Sequence, residues 1–348
     1  MRPLRILGPF PPPYGGVAIH CVRLLESLRE RGIVAKGISL GGLPASLQGV
    51  VLLRPWMVLS RGPVHYHTDE GNFRWMLMLS RLWRLTRIPY IVTLHSFRHR
   101  AEFENVATRD RLRRAYEHAE AVIAISDDVA AAVEHELGLR HKRLKIIASN
   151  LPISAWERQA PLPDELPNSW RQAEIRLLAN AGAVTSFNGN DLYGIDVLLE
   201  AFAMLSDQRI SLCIVVGGVR DKQLADRLLK QASTDARVCI VYEPNSALVP
   251  VVEHSHVIVR PTRTEGGPSL TVTEAMELGK ITIASDAVAR PAGCITFRNE
   301  DPADLARVLE HSIEEVRSAA MPEPVQAYSS ALTQLVHLYQ KLGFVENS

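Results

Sequence analysis

The chain has 348 residues, of which 47% are hydrophobic and 22% charged, and its formal net charge is +1. That is the composition of an ordinary soluble globular protein, too long for one core, so two domains of roughly 150 to 180 residues are expected. Four cysteines without CxxC or Cys/His spacing indicate neither a zinc site nor a disulfide framework and fit a reducing cytoplasm; the opening MRPLRILGPFPPPYGG reads as a first buried strand and not as a signal peptide or membrane span. Charge is unevenly divided: residues 1–150 carry 22 Lys/Arg against 13 Asp/Glu, and residues 151–348 carry 17 against 25. The basic half therefore points to an anionic partner such as a bilayer surface or a lipid phosphate.

In chain order, residues 4–7 form a short apolar strand, 8–16 (GPFPPPYGG) a loop, and 17–31 a helix. The pair Gly15 and Gly16 thus opens a helix after strand one, where backbone without a Cβ can approach a diphosphate. Strands follow at 34–40, 50–53 and 64–67. Residues 73–87 (FRWMLMLSRLWRLTR) alternate apolar residues and arginines at near-helical spacing, which suits a sheet-packing helix or an interfacial one. Strand 89–94 ends at His95, at the carboxyl edge where open α/β sheets bind ligands. A charged helix over 98–114, a strand over 121–125, a helix to 137 capped by Ser126 and closed by Gly138, and a strand over 144–148 complete the first run.

Residues 149–167 are proline-rich and aperiodic and read as a linker. The alternation restarts with a strand at 175, a polar loop at 185–191, and a helix from 194 to about 205. Strand 210–216, helix 222–232, strand 238–241 and a short helix near 246–254 follow. Residues 257–286 (VIVRPTRTEGGPSLTVTEAMELGKITIASD) form a strand, loop, helix, strand unit. Its helix N terminus favours an anion, while the carboxylates of Glu265 and Glu274 suit sugar hydroxyls, so the stretch fits a nucleotide sugar. A helix over 302–316 and a last one over 324–342 end the chain. Two successive βα runs give two doubly wound domains, because a parallel strand pair needs a crossover.

The glycine pair after strand one, the histidine after VTL, the AEAVIAIS strand and the acidic glycine loop followed by EAM together resemble the retaining glycosyltransferases of family 4 over residues 4–310. FNGNDLYGIDVLLEA, VRPTRTEGG and ASDAVARPAG are similar to loops of members that build bacterial surface polysaccharides. The resemblance implies a GT-B fold, α/β with two doubly wound Rossmann-like domains facing an interdomain cleft: 1–150 for the acceptor, 151–168 a linker, 169–323 for the nucleotide sugar, and 324–348 a helix returning to the first domain. It implies His95 and Glu265 as catalytic residues. Gly15, Gly16, Arg260, Arg263, Gly266, Gly267, Ser269, Leu270 and Glu274 would hold the donor.

The implied reaction moves a sugar from a UDP- or GDP-linked donor to a glycan or lipid-linked saccharide in polysaccharide or lipopolysaccharide synthesis. It uses no metal, no other cofactor and no nucleic acid, and takes place in the cytoplasm with peripheral contact to the inner membrane. Two departures stand out. Eight residues instead of the usual seven separate Glu265 from Glu274, and the Arg and Lys that many members carry after the first strand of the second domain are absent. Arg260 and Arg263 are the nearest replacements. A catalytically silent GT-B subunit and a GT-B sugar-nucleotide epimerase remain alternatives.

Overall fold

Runs such as YIVTL and ISLCIVV are apolar throughout, as strands buried on both faces of a parallel sheet must be. The computed structural model describes residues 2–11, 15–40, 50–52, 61–139, 143–242, 247–265, 267, 269–319, 321–325 and 329–346. The chain divides into two units, Met1–Ser154 with Tyr328–Ser348, and Ala155–Ala327.

In the first unit, β1 (Leu4–Gly8), β2 (Ala35–Ser39), β3 (Val50–Leu52), β4 (Val64–Thr68), β5 (Tyr90–Leu94), β6 (Ala121–Ala124) and β7 (Leu144–Ile146) form one parallel sheet in the order β3-β2-β1-β4-β5-β6-β7. The chain winds one way from β1 to β3 and the other way from β4 to β7. Its topological switch point therefore lies between β1 and β4, where doubly wound sheets open a crevice at the strand ends. Gly8 closes β1 because a Cβ there would stand 2.9 Å from Cys21 Sγ and 3.1 Å from His67 Cβ. That close approach seats the helix Gly16–Glu30 on the end of β4.

The helix expected over 98–114 is instead a 3₁₀ turn, Ala101–Phe103, followed by the helix Val106–Glu117. Phe97 and Phe103 stack with ring centroids 5.5 Å apart, and the Asn105 side chain accepts a hydrogen bond from the Thr108 N–H, so the helix starts afresh at that cap. The final helix, Ser329–Lys341, belongs to this unit. It buries Tyr339, whose hydroxyl lies 2.6 Å from His65 Nδ1 on β4.

In the second unit, β8 (Ile175–Ala181) leads to a small hairpin, β9 (Ser186–Phe187) and β10 (Asn190–Asp191). Then come β11 (Ile210–Val216), β12 (Val238–Tyr242), β13 (Val257–Arg260), β14 (Ile281–Ser285) and β15 (Ile295–Phe297), which join β8 in a parallel sheet ordered β12-β11-β8-β13-β14-β15. The switch point lies between β8 and β13. Residues after 154, read from sequence as linker, are folded onto this unit. Arg158 in the helix Ala155–Gln159 pairs with Glu277 at 3.4 Å and Glu253 at 3.8 Å. Leu166 and Trp170 join a buried cluster with Leu178 and Cys213, and Trp170 Nε1 donates to the Leu177 carbonyl.

Candidate functional site

At the switch point of the second unit, β13 ends in Arg260, whose guanidinium is held on every side. Its Nε donates to Glu265 Oε1 at 2.8 Å, Nη2 donates to the same oxygen, and Nη1 donates to the Asn180 carbonyl at 2.8 Å; the cation also lies 4.9 Å from the centre of the Tyr193 ring. Arg290, in the loop after β14, takes the other carboxylate oxygen: Nη1 donates to Glu265 Oε2 at 2.7 Å, while Nε and Nη2 donate to the carbonyl and hydroxyl of Ser285. The Arg260, Glu265 and Arg290 side chains are 9%, 9% and 2% exposed, so this is a buried triad in which two cations share one anion. Burial opposes the charge of Arg260, but Glu265 leads the neighbours that more than offset it, and the pKa is raised. The two guanidiniums of the triad thus outnumber its one carboxylate, with Asp191 a further acidic neighbour of Arg260.

Gly194 makes the surrounding loop possible. It sits in the left-handed region (φ +67°), and a Cβ would lie 1.9 Å from the Pro261 carbonyl oxygen. Arg263 makes no bond to the triad and donates to Asp196 at 2.8 and 3.0 Å, to Glu300 at 2.5 Å and to the Asp191 carbonyl. Its charge is offset by two carboxylates and it braces the helix Ile195–Met204. Beyond the triad, the helix Leu270–Glu277 begins at Ser269 with no side-chain cap and no acidic residue in its first turn. Leu270 is half-buried, Glu274 is buried at 4% exposure, and Gly267 has φ +146°, a conformation open to glycine. Gly266 lies outside the described residues.

The first unit gathers histidines at its own switch point. His67 is on β4, His95 follows β5, and His20 lies on the helix after β1. His67 Nδ1 and His95 Nε2 are 3.1 Å apart, and the His20 ring centre is 4.8 Å from that of His95 and 5.1 Å from that of His67. His65, behind them, bonds Tyr339 through Nδ1 and Thr93 through Nε2 at 2.7 Å. Burial, reinforced by the mutual proximity of the rings, holds His65, His67 and His95 well below the ordinary imidazole pKa; burial, opposed by the Ser149 hydrogen bond and aided by the Arg23 charge, lowers His20 to about 4. All four are neutral at pH 7. Gly15 is extended at the helix N-cap with nothing within 4 Å of a Cβ, and Gly16, the first helical residue, is exposed. This N terminus also lacks an acidic first turn.

Sequence reasoning therefore named Arg260, Glu265 and His95 but missed their partners Arg290, Asn180, Tyr193, His20, His65 and His67. The HYH alternation on β4 was the available signal for two of these, since residues two apart share a strand face.

Known families match both units. Residues 179–315 match the family model described as glycosyl transferases group 1, and residues 63–149 match glycosyltransferase family 4. The chain belongs with the family 4-like glycosyltransferases. A search of curated proteins finds no match. Among solved structures, the glycosyltransferase is similar to Anabaena Alr3699/HepE in complex with UDP-glucose, with a TM-score of 0.68 and 14% identity over 97% of this chain and 94% of that one. A glycosyltransferase from Rickettsia africae aligns with a TM-score of 0.68 and 13% identity over the whole of both chains. The catalytic domain of starch synthase IV from Arabidopsis thaliana, bound to ADP and acarbose, aligns with a TM-score of 0.70 and 12% identity over 97% and 99%. At such identities the likeness shows the fold, which is GT-B, with two Rossmann-like units.

Proposed function

We propose that this glycosyltransferase is a retaining enzyme that moves a sugar from a UDP- or GDP-linked donor to a glycan or lipid-linked saccharide in bacterial surface polysaccharide synthesis. The observation that carries the reading is the triad of Arg260, Glu265 and Arg290 at the switch point of the second unit, beside an uncapped helix N terminus and the buried Glu274. Net positive charge and a helix dipole suit a departing diphosphate, and a buried carboxylate suits ribose hydroxyls. In this reaction the bond from the anomeric carbon to the diphosphate oxygen breaks, and the acceptor oxygen bonds the same face of that carbon. The acceptor proton passes to the departing phosphate oxygen. Arg260 and Arg290 supply the positive field, Glu265 holds both in place, and Glu274 binds the ribose. The neutral His95 orients the transferred sugar without placing a charge beside the forming oxocarbenium.

Support for HepE-like chemistry comes from the structures of that protein with UDP, UDP-glucose and glucose. Peripheral membrane contact is part of the same reading. Trp75, Met78 and Leu85 are 44%, 51% and 71% exposed on the outer face of the helix Phe73–Thr86, among the exposed Arg74, Arg81, Arg84 and Arg87. No helix among the described residues is long and apolar enough to cross a membrane.

A thermal-shift screen against UDP- and GDP-linked sugars tests the donor site, and NMR of the anomeric linkage in the product tests retention. Stabilisation by one nucleotide series and a product of unchanged anomeric configuration are expected. An inverted product refutes the retaining assignment. A second reading, a binding subunit without turnover, is favoured by the engagement of both Glu265 oxygens; nucleotide binding with no transfer or hydrolysis would select it.

A further inference from the structure

The first unit holds an arrangement that sugar binding does not require. His20 Nδ1 is 2.9 Å from the Ser149 carbonyl oxygen, which can only accept, so Nδ1 carries the proton and Nε2 carries a lone pair. That Nε2 is buried without a hydrogen-bond partner among the described residues. A histidine that donates one nitrogen to a backbone carbonyl and turns the other, unprotonated, into a polar cluster has the pattern of a metal ligand with its supporting shell already built. His67 Nδ1 and His95 Nε2 complete the set. Their 3.1 Å separation is close to the roughly 3.4 Å edge of a tetrahedron with Zn–N distances of about 2.1 Å. One nitrogen from each of the three rings lies within 4.8 Å of the others, so binding draws His20 inward.

We propose that His20, His67 and His95 form an inhibitory site for a divalent transition-metal ion of zinc type. The ion replaces the hydrogen bond between His67 and His95: each ring stays neutral, with its proton on the nitrogen that faces away from the metal. No proton has to leave. All three come from a helix, a strand and a strand end of one unit, and the half-buried His95 gives the ion its way in. Cys21, next to His20 in sequence, is outside the cluster: its Sγ packs against Gly8 at the end of β1. The inhibitory role, though not the binding, rests on the proposed function: a metal-bound His95 is withdrawn from the sugar.

The test is a Co²⁺ titration of the purified full chain at pH 7, read through the visible ligand-field bands of tetrahedral cobalt and followed by displacement with Zn²⁺. One saturable site is expected, weakened by at least about a hundredfold in His20→Ala and in His67→Ala, and unchanged in His99→Ala on the surface. Absence of tetrahedral bands, or equal binding in His20→Ala, overturns the site. Should the cluster variants not fold, thermal unfolding of the wild type with equimolar Zn²⁺ decides: a raised midpoint supports the site and an unchanged one overturns it. Turnover is read separately. Loss of activity with site occupancy, restored by a chelator, supports inhibition, whereas full activity with cobalt bound refutes the inhibitory role and removes His95 from the transfer step.

Discussion

The substitution Glu265→Gln preserves shape and removes one charge, and it isolates what the triad does. Its two carboxylate oxygens hold Arg260 and Arg290, with all three side chains at or below 9% exposure. Removing one partner of a buried ion pair costs about 3 to 5 kcal/mol, because the remaining charge stays out of water without compensation. Here the amide oxygen still accepts from one guanidinium, which places the loss near the lower end, about 3 kcal/mol. For a unit of this size that corresponds to a midpoint lowered by roughly 6 to 12 °C. Circular dichroism gives the midpoint, and hydrogen exchange at β13 and β14 assigns the loss to the second unit. The double variant Glu265→Gln/Arg290→Met sharpens the test, since removing a cation along with the anion relieves part of the uncompensated charge. Its loss should fall short of the sum of the single losses by about 1 to 3 kcal/mol. A midpoint for Glu265→Gln within about 2 °C of wild type, or strict additivity, would refute the idea that this carboxylate acts as a buried clamp.

Four further outcomes follow from the same geometry. Gly194→Ala forces a left-handed alanine against the Pro261 carbonyl oxygen and should cost at least about 2 kcal/mol in urea unfolding. Gly15→Ala meets no atom of the chain and should leave stability within about 0.5 kcal/mol, while donor turnover falls; wild-type turnover would exclude Gly15 from the donor site. His95→Ala should lower turnover far more than nucleotide affinity, and equal loss of both argues against its orienting role. Finally, the urea midpoint of the first unit should fall with acidification from pH 6.5 to 4. The buried histidines have folded pKa values below the unfolded one, so in that window the unfolded chain binds protons that the folded chain refuses. His20 alone, lowered to about 4, accounts for roughly 3 kcal/mol by pH 4 and for none above pH 7, so a flat profile counts against the buried neutral cluster.

Much of the architecture was legible because its signals are local. The apolar run at β11 and the Ser126 cap with Gly138 each declare an element within a dozen residues. What was not legible depended on distant partners. Arg263 lies close in sequence to Glu265 and reads as a phosphate ligand, yet Asp196 on the helix Ile195–Met204 fixes the direction of its side chain. Arg290, 25 positions from Glu265, carries no local mark, and only the parallel pairing of β13 with β14 brings their two exit loops together. The helix over 98–114 failed for the opposite reason. Its charge pattern is helical, but Asn105 offers the backbone a better start and the Phe97–Phe103 stack fixes the preceding turn.

The two switch points use opposite electrostatics, and that contrast explains the residue types better than either site does alone. In the second unit, the two guanidiniums of the triad outnumber its one carboxylate at the strand ends, a field suited to an anion and of little use for a neutral hydroxyl. In the first unit, burial strips the charge from four imidazoles, and the half-buried His95 at their edge offers a hydroxyl a neutral partner that does not attract phosphate. A nucleotide sugar needs both kinds of surface: cations for the diphosphate, and neutral hydrogen-bonding groups near a sugar carbon that becomes positive during transfer. On the reading proposed above, donor binding by the second unit calls for its cations and hydroxyl binding by the first for its neutral imidazole, independent of the spacing between Glu265 and Glu274.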